Sequence, residues 1–261
     1  MYEHHKRAIE NLKKYYEGDL EVLGVVLGGS VAKGLERPDS DIDGMVIVTP
    51  ERYERLKAEG RITECITGYC DYEGGYFDIK YMTKEYLEAA ADHGSEPTRN
   101  SFLCSRCISY TDPEIPGIVE RIPVFQKQEK QAKQNSFYAV LRYATGYFWQ
   151  FVDDPILRSR TVFEIVHFAL RMVMQDREVL YPCSKSMGKY IERMENKPPQ
   201  VLELCARFVE NPTTENMKSF VNYVLGNIEY TPPKDFHEIG TQFVADNEQW
   251  WYKHRPFIAE W

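Results

Sequence analysis

At about residue 126 the hydrophobic rhythm of the chain changes, and that change limits what it can fold into. Before it, apolar residues come in short runs: Val22 to Leu27, Met45 to Val48 within a strand expected over Asp43 to Thr49, and Tyr76 to Met82. In the third run Phe77, Ile79 and Tyr81 alternate with Tyr76, Asp78 and Lys80. Short apolar runs bounded by Gly, Pro or Asp read as strands, and a last one is expected over 107–111, closed by Asp112-Pro113. Residues 3–16, with Ile9 and Leu12 spaced for one face, 51–59 and 83–92 read as helices between them. After the change, polar Gln126 to Gln134 leads into long segments of helical period: 136–152, 160–176, 184–195, 200–210, 214–228 and 240–252. Pro182, Pro198-Pro199, Pro212 and Pro232-Pro233 separate them. The pattern predicts an α+β chain, with a mixed sheet and flanking helices over 1–126 followed by a helical bundle over 127–261.

With 261 residues, 43% of them apolar, the chain is long enough for substantial cores. Its net charge of −8 argues against a nucleic-acid partner, which calls for a basic surface, and favours a neutral or cationic small molecule. No apolar run is long enough to cross a bilayer, and the polar start, Met1 to Glu17, does not read as a signal peptide. The expected compartment is the cytoplasm, where the six cysteines are reduced thiols. Cys104-Ser-Arg-Cys107 has C-x-x-C spacing, with Cys65 and Cys70 upstream, but falls where a helix end runs into a strand; these read as ordinary thiols rather than a zinc site.

The chemistry is concentrated in Leu27-Gly-Gly-Ser-Val-Ala-Lys-Gly-Leu-Glu-Arg-Pro-Asp-Ser-Asp-Ile-Asp-Gly-Met-Val-Ile-Val48. A strand ends in Gly28-Gly29-Ser30, where glycines let the backbone approach a phosphate and Ser30 offers a hydroxyl and an N–H. A helix starting just after would point its positive end at the same phosphate. Ten residues on, Asp41 and Asp43 stand at the entry to a strand, where positions i and i+2 share a face. Two carboxylates on one face repel unless a cation lies between them, and hard oxygen ligands beside a phosphate site favour Mg²⁺. Asp78, mid-strand between Phe77 and Ile79, needs a partner of the same kind.

Gly29-Ser30, the ten-residue gap, Asp41-x-Asp43 and the later strand carboxylate Asp78 resemble, in order, the signature of the nucleotidyltransferase superfamily related to DNA polymerase β. The resemblance implies transfer of a nucleoside monophosphate, AMP from ATP in the expected case, to a hydroxyl, with release of pyrophosphate. It implies Mg²⁺ held by Asp41, Asp43 and Asp78, with Asp78 either a third ligand or the general base, and a nucleotide held by Gly29, Ser30 and Ser40. Lys33 could add charge there. Glu164-Ile-Val-His-Phe-Ala-Leu-Arg171 and Tyr181-Pro-Cys-Ser-Lys185 further resemble the helical domain of streptomycin/spectinomycin-type aminoglycoside adenylyltransferases. Carried over, Arg171 and Lys185 would clamp the triphosphate, and the acceptor would be a small molecule, an aminoglycoside in the antibiotic-resistance reading. Trp149, Asp153 and Glu164 are candidates to line its pocket. The chain departs from that group in having Asp78 where the group commonly has Glu, which puts the antibiotic specificity in question. Two other classes stay open: a nucleotidyltransferase acting on RNA or protein, as in toxin–antitoxin pairs, and an RNase-associated helical module, for which Arg160 and His167 have the spacing.

Overall fold

The computed structural model describes residues 1–252. They fall into two compact units. The first comprises Met1–Gly94 and Thr98–Val124; the second comprises Ser95–Pro97 and the chain from Phe125 onward.

The first unit is built on a five-stranded sheet: β1 (Val22–Leu27), β2 (Ile42–Val48), β3 (Thr63–Ile66), β4 (Phe77–Met82) and β5 (Arg106–Tyr110). Their spatial order is β3-β4-β2-β1-β5. The β2–β4 pair alone is parallel; the other neighbours are antiparallel, so the sheet is mixed as expected. Strand alternation sends one set of side chains to each face. Val25, Leu27, Ile42, Val46, Phe77 and Ile79 pack with Ala8, Ile9 and Leu12 of helix α1 (Glu3–Tyr15). Val26, Met45, Ile47 and Met82 pack on the other face with Leu87 and Ala90 of α4 (Lys84–His93), and with Ile115 and Ile118 of α6 (Ile115–Arg121). The single turn α2 (Gly29–Ala32), α3 (Pro50–Ala58) and the short α5 (Glu96–Ser101) complete the helices. Thr49 caps α3, its hydroxyl accepting from the Arg52 N–H, with Pro50 at the first helical position.

Three elements escape the sequence pattern. β3 is a four-residue edge strand whose only fully buried side chain is Ile66, so it has no apolar run to betray it. α6 contains Pro116-Gly117, which reads as a turn; the proline sits in the first helical turn, where no intrahelical N–H is lost. α5 is six residues long and too short for a period.

The second unit is helical: α7 (Lys130–Thr145), α8 (Pro155–Asp176), α9 (Ser184–Arg193), α10 (Val201–Glu210), α11 (Thr214–Gly226) and α12 (Phe236–Asn247). Its core gathers Phe137, Leu141, Ile165, Met172, Phe208 and Phe220 from four of them. α7 begins earlier than its apolar residues suggest, because polar Lys133 and Gln134 are themselves buried. The reason is Glu96. Its carboxylate, 1% exposed, receives Lys133 Nζ at 3.1 Å, Arg171 Nη2 at 3.5 Å, the Tyr181 backbone N–H at 3.0 Å and the Gln175 side-chain amide. Lys133 also meets Glu129 at 3.0 Å. The Arg171 guanidinium lies 4.1 Å from the Tyr181 ring centroid and 4.5 Å from that of Phe137.

Removing one member of a buried ion cluster strands the others without a counter-charge. Glu96→Ala should therefore destabilise the protein by about 3–5 kcal/mol. Urea denaturation checks this, and a loss below about 1 kcal/mol would show that the cluster is worth no more than surface pairs.

Candidate active site

Two strands and one turn bring the carboxylates together. In the parallel β2–β4 pair, Asp43 stands directly opposite Asp78. Both alternate with buried neighbours, Ile42 and Gly44 on one strand and Phe77 and Ile79 on the other. Asp41 precedes β2 by one residue and lies two before Asp43, hence on the same side. The carboxylate oxygens of Asp41, Asp43 and Asp78 come within 4.8 Å of one another. Among the described residues no other group of three or more His, Cys, Asp or Glu is placed to share a metal ion. The six cysteines are free thiols.

The turn after β1 closes over Asp43. The Gly28 N–H donates to the Asp43 carbonyl at 3.0 Å, continuing the β1–β2 ladder by one bond. Gly29 then adopts φ +63°, and a Cβ there would stand 1.6 Å from an Asp43 carboxylate oxygen. Only glycine meets both conditions, so the residue that bends the chain also lets its backbone approach the carboxylate. The Ser30 backbone N–H donates to that carboxylate. The expected helix after the glycines is only the single turn α2, so this turn offers a phosphate individual N–H groups with little added macrodipole.

The first strand residues hold Asp41 from the other side. The Ile42 N–H donates to the Tyr76 carbonyl at 3.0 Å, and the Tyr76 hydroxyl donates to the Asp41 carboxylate. That carboxylate pushes the Tyr76 phenol up to about 12. The signal for Tyr76 was present in the sequence, since it alternates onto one face with Asp78 and Lys80. Ser40, expected at the nucleotide, lies in the loop before β2. Its hydroxyl accepts the Arg37 N–H at 2.9 Å, its carbonyl accepts the Tyr72 hydroxyl at 2.8 Å, and the residue is buried.

Burial and the two neighbouring carboxylates raise Asp43 from the ordinary aspartate value of 3.8 to about 6, while Lys80 and the Ser30 N–H pull the other way. A site that resists its own ionisation this strongly is suited to a cation. Three hard oxygen donors from three carboxylates fit a divalent ion of the Mg²⁺ type.

The remaining expected residues lie in the second unit. Arg171 is wholly buried between Phe137 and Tyr181, with Glu96 at 3.5 Å as a counter-ion. The sequence could not show this, because Glu96 lies seventy-five residues away. Lys185 is exposed in the first turn of α9. The Trp149 indole N–H donates to the Thr214 hydroxyl at 3.0 Å, Glu164 accepts from Arg160 at 2.8 Å, and Asp153 is exposed. His167 is buried against the rings of Phe163, Phe168 and Tyr181, while Arg160 is exposed and pairs with Glu164.

The Asp43 shift has a consequence for stability. A carboxyl whose folded pKa is raised contributes stability below its unfolded value and loses it as pH rises through about 6. At neutral pH the metal-free protein bears the full cost of the ionised group, about 2–3 kcal/mol at 1.36 kcal/mol per unit. Asp43→Asn should raise the neutral-pH stability of metal-free protein by about 1–2 kcal/mol, with the gain shrinking towards pH 4. Thermal melts with EDTA at the two pH values check this; an Asn variant no more stable at neutral pH would refute it.

Comparison with known proteins bears on the same residues. Residues 5–93, about a third of the chain, match the family described as the nucleotidyltransferase domain. No curated protein matches this sequence. A nucleotidyltransferase-like protein from Exiguobacterium sibiricum has a solved structure that aligns over 92% of this chain and 76% of its own. Its TM-score is 0.48 at 9% identity, a likeness too weak to bear on fold or function. The family match spans the glycine turn and all three carboxylates, and on that ground residues 5–93 are a nucleotidyltransferase domain, whose substrate is a nucleoside triphosphate and whose reaction is transfer of the nucleoside monophosphate.

Proposed function

We propose that the chain is an Mg²⁺-dependent adenylyltransferase that moves AMP from ATP to a hydroxyl of a small-molecule acceptor. The observation that carries this reading is the convergence of Asp41, Asp43 and Asp78 beside the Gly28–Ser30 turn. Asp41 and Asp43 would hold the ion, which when bound lowers the charge repulsion between the triphosphate and this acidic site. The Ser30 hydroxyl and the backbone of Gly28 and Gly29 orient the phosphate tail. The acceptor oxygen forms a bond to the α-phosphorus, the bond from that phosphorus to pyrophosphate breaks, and the hydroxyl proton leaves to a base. Asp78, in register with Asp43, would act as that base or as a third ligand. The acidic balance of the chain, −8 overall, suits a cationic acceptor of the aminoglycoside class. The cytoplasm is the proposed compartment; no described helix is long and apolar enough to cross a membrane.

The test is transfer of label from α-labelled ATP to a panel of hydroxylated amines, aminoglycosides included. Asp43→Ala should lower turnover by at least about a thousandfold, on the scale seen when a transition-state contact is lost, and EDTA should abolish it reversibly. Transfer that survives the substitution or EDTA would overturn the metal reading. Transfer only to RNA or protein would overturn the acceptor.

The two roles of Asp78 separate by a second measurement. If it is the base, Asp78→Asn leaves the affinity for Mn²⁺ within about twofold while kcat falls by about 10²–10⁴. A parallel loss of Mn²⁺ affinity makes it a ligand.

A further inference from the structure

Strand register puts a cation beside the carboxylate trio. Along β4, Asp78, Lys80 and Met82 alternate onto one face. Across the parallel pair, Asp43 stands opposite Asp78 and Met45 opposite Lys80. Met45 and Met82 pack against Leu87 and Ala90 of α4, so this is the α4 face of the sheet, and it carries the acids. On the far side of β4, the edge strand β3 sets Cys65 opposite Asp78 and Thr63 opposite Lys80. The side chains therefore form two rows. Asp43, Asp78 and Cys65 make one; Met45, Lys80 and Thr63 make the next, roughly 7 Å further along the strands. Lys80, Cys65 and Thr63 are exposed, so this part of the face is open.

No protein group holds the Lys80 ammonium: among the described residues none gives it a hydrogen bond or an ion pair. Lys84, four residues on, is by contrast held between Asp112 and Glu114. The charge of Lys80 nevertheless reaches the trio, where it favours the ionised form of Asp43 against burial and the other two acids. Its three N–H donors are open to a ligand, and its flexible stem presents them as a compact point charge. The glycine turn follows β1, whereas Lys80 lies on β4, on the opposite side of β2. A triphosphate whose tail rests on that turn carries its α-phosphate over the acids, towards Lys80. The α-phosphorus is the reacting atom, and a fixed positive charge at its non-bridging oxygens acts where charge is redistributed during transfer.

We infer that Lys80 binds the α-phosphate of the nucleotide from the side of the acids opposite the glycine turn. This deepens the proposed function, on whose placement of the phosphate tail at that turn it rests. A cation beside the trio attracts a phosphate and repels a metal ion held by the acids. Loss of the Lys80 charge therefore acts in opposite directions on the two ligands: nucleotide is held less tightly, metal alone as tightly or more so. Damage to the fold weakens both. A phosphate tail without its nucleoside, bound at the turn, lies away from Lys80 and is indifferent to it.

The experiment is calorimetric titration into full-length wild type, Lys80→Met and Lys80→Arg. The probes are Mn²⁺ alone, and ATP and inorganic tripolyphosphate, each with Mg²⁺. Lys80→Met should weaken ATP about tenfold, the scale of a lost hydrogen bond to a charged group. It should leave tripolyphosphate within about twofold. Mn²⁺ should bind as tightly as in wild type or up to about threefold more tightly. Lys80→Arg, which keeps the charge, should hold ATP to within about threefold of wild type. The inference is overturned if ATP affinity is unchanged in Lys80→Met, if tripolyphosphate weakens as much as ATP, or if ATP and Mn²⁺ weaken together. ATP binding that depends on Lys80, with no transfer of AMP to any acceptor, would keep the inference and remove the adenylyl reading. Transfer that depends on Asp43, with ATP binding indifferent to Lys80, would do the reverse. Wild type that binds neither ATP nor tripolyphosphate would remove both.

Discussion

Three carboxylates held within 4.8 Å of one another are an unfavourable arrangement for a protein on its own, and much of the first unit serves to maintain it. The parallel β2–β4 register sets Asp43 against Asp78. Burial of the flanking strand residues on both sheet faces prevents the strands from slipping to relieve the repulsion, since a one-residue slip would turn every core side chain outward. Gly29 closes the turn against the Asp43 carboxylate, where any other residue would collide with it. The Tyr76 hydroxyl and the Ser30 N–H orient two of the three acids and leave the total charge unchanged. The strain remains in the raised pKa of Asp43.

The second unit solves the opposite problem. There Lys133 and Arg171 are buried cations; Glu96 meets both and Glu129 also meets Lys133, while the Gln175 amide and the Tyr181 N–H donate to Glu96 as well. The charges are compensated, hydrogen-bonded and enclosed by Phe137 and Tyr181, which makes them part of the interior. The contrast separates site from structure: acids left in excess and half-exposed in one unit, cations matched and covered in the other.

Much of this was legible beforehand because it is local. The strands over 22–27, 43–49 and 76–82 were readable from apolar runs, and the face shared by Asp41 and Asp43 follows from the pleat. The glycine pair and its distance from the Asp-x-Asp also lie in one continuous stretch. The helical character after residue 126 follows from periodicity alone. What escaped was short, as in β3 and α5, or disguised by its own residues, as in α6 with Pro116-Gly117 and in α7 with Lys133 and Gln134.

The sequence by itself determined the chemistry on offer: a glycine turn, three acids in strand positions, and an α+β half followed by a helical one. Tertiary structure decided which charges are available to do that chemistry. Asp78 faces Asp43 because two strands thirty-five residues apart pair in parallel, and Arg171 lies buried beside Glu96, seventy-five residues away. Each depends on a partner distant in the chain. The strength of a charge in a protein depends on what surrounds it in space, which periodicity and spacing do not encode.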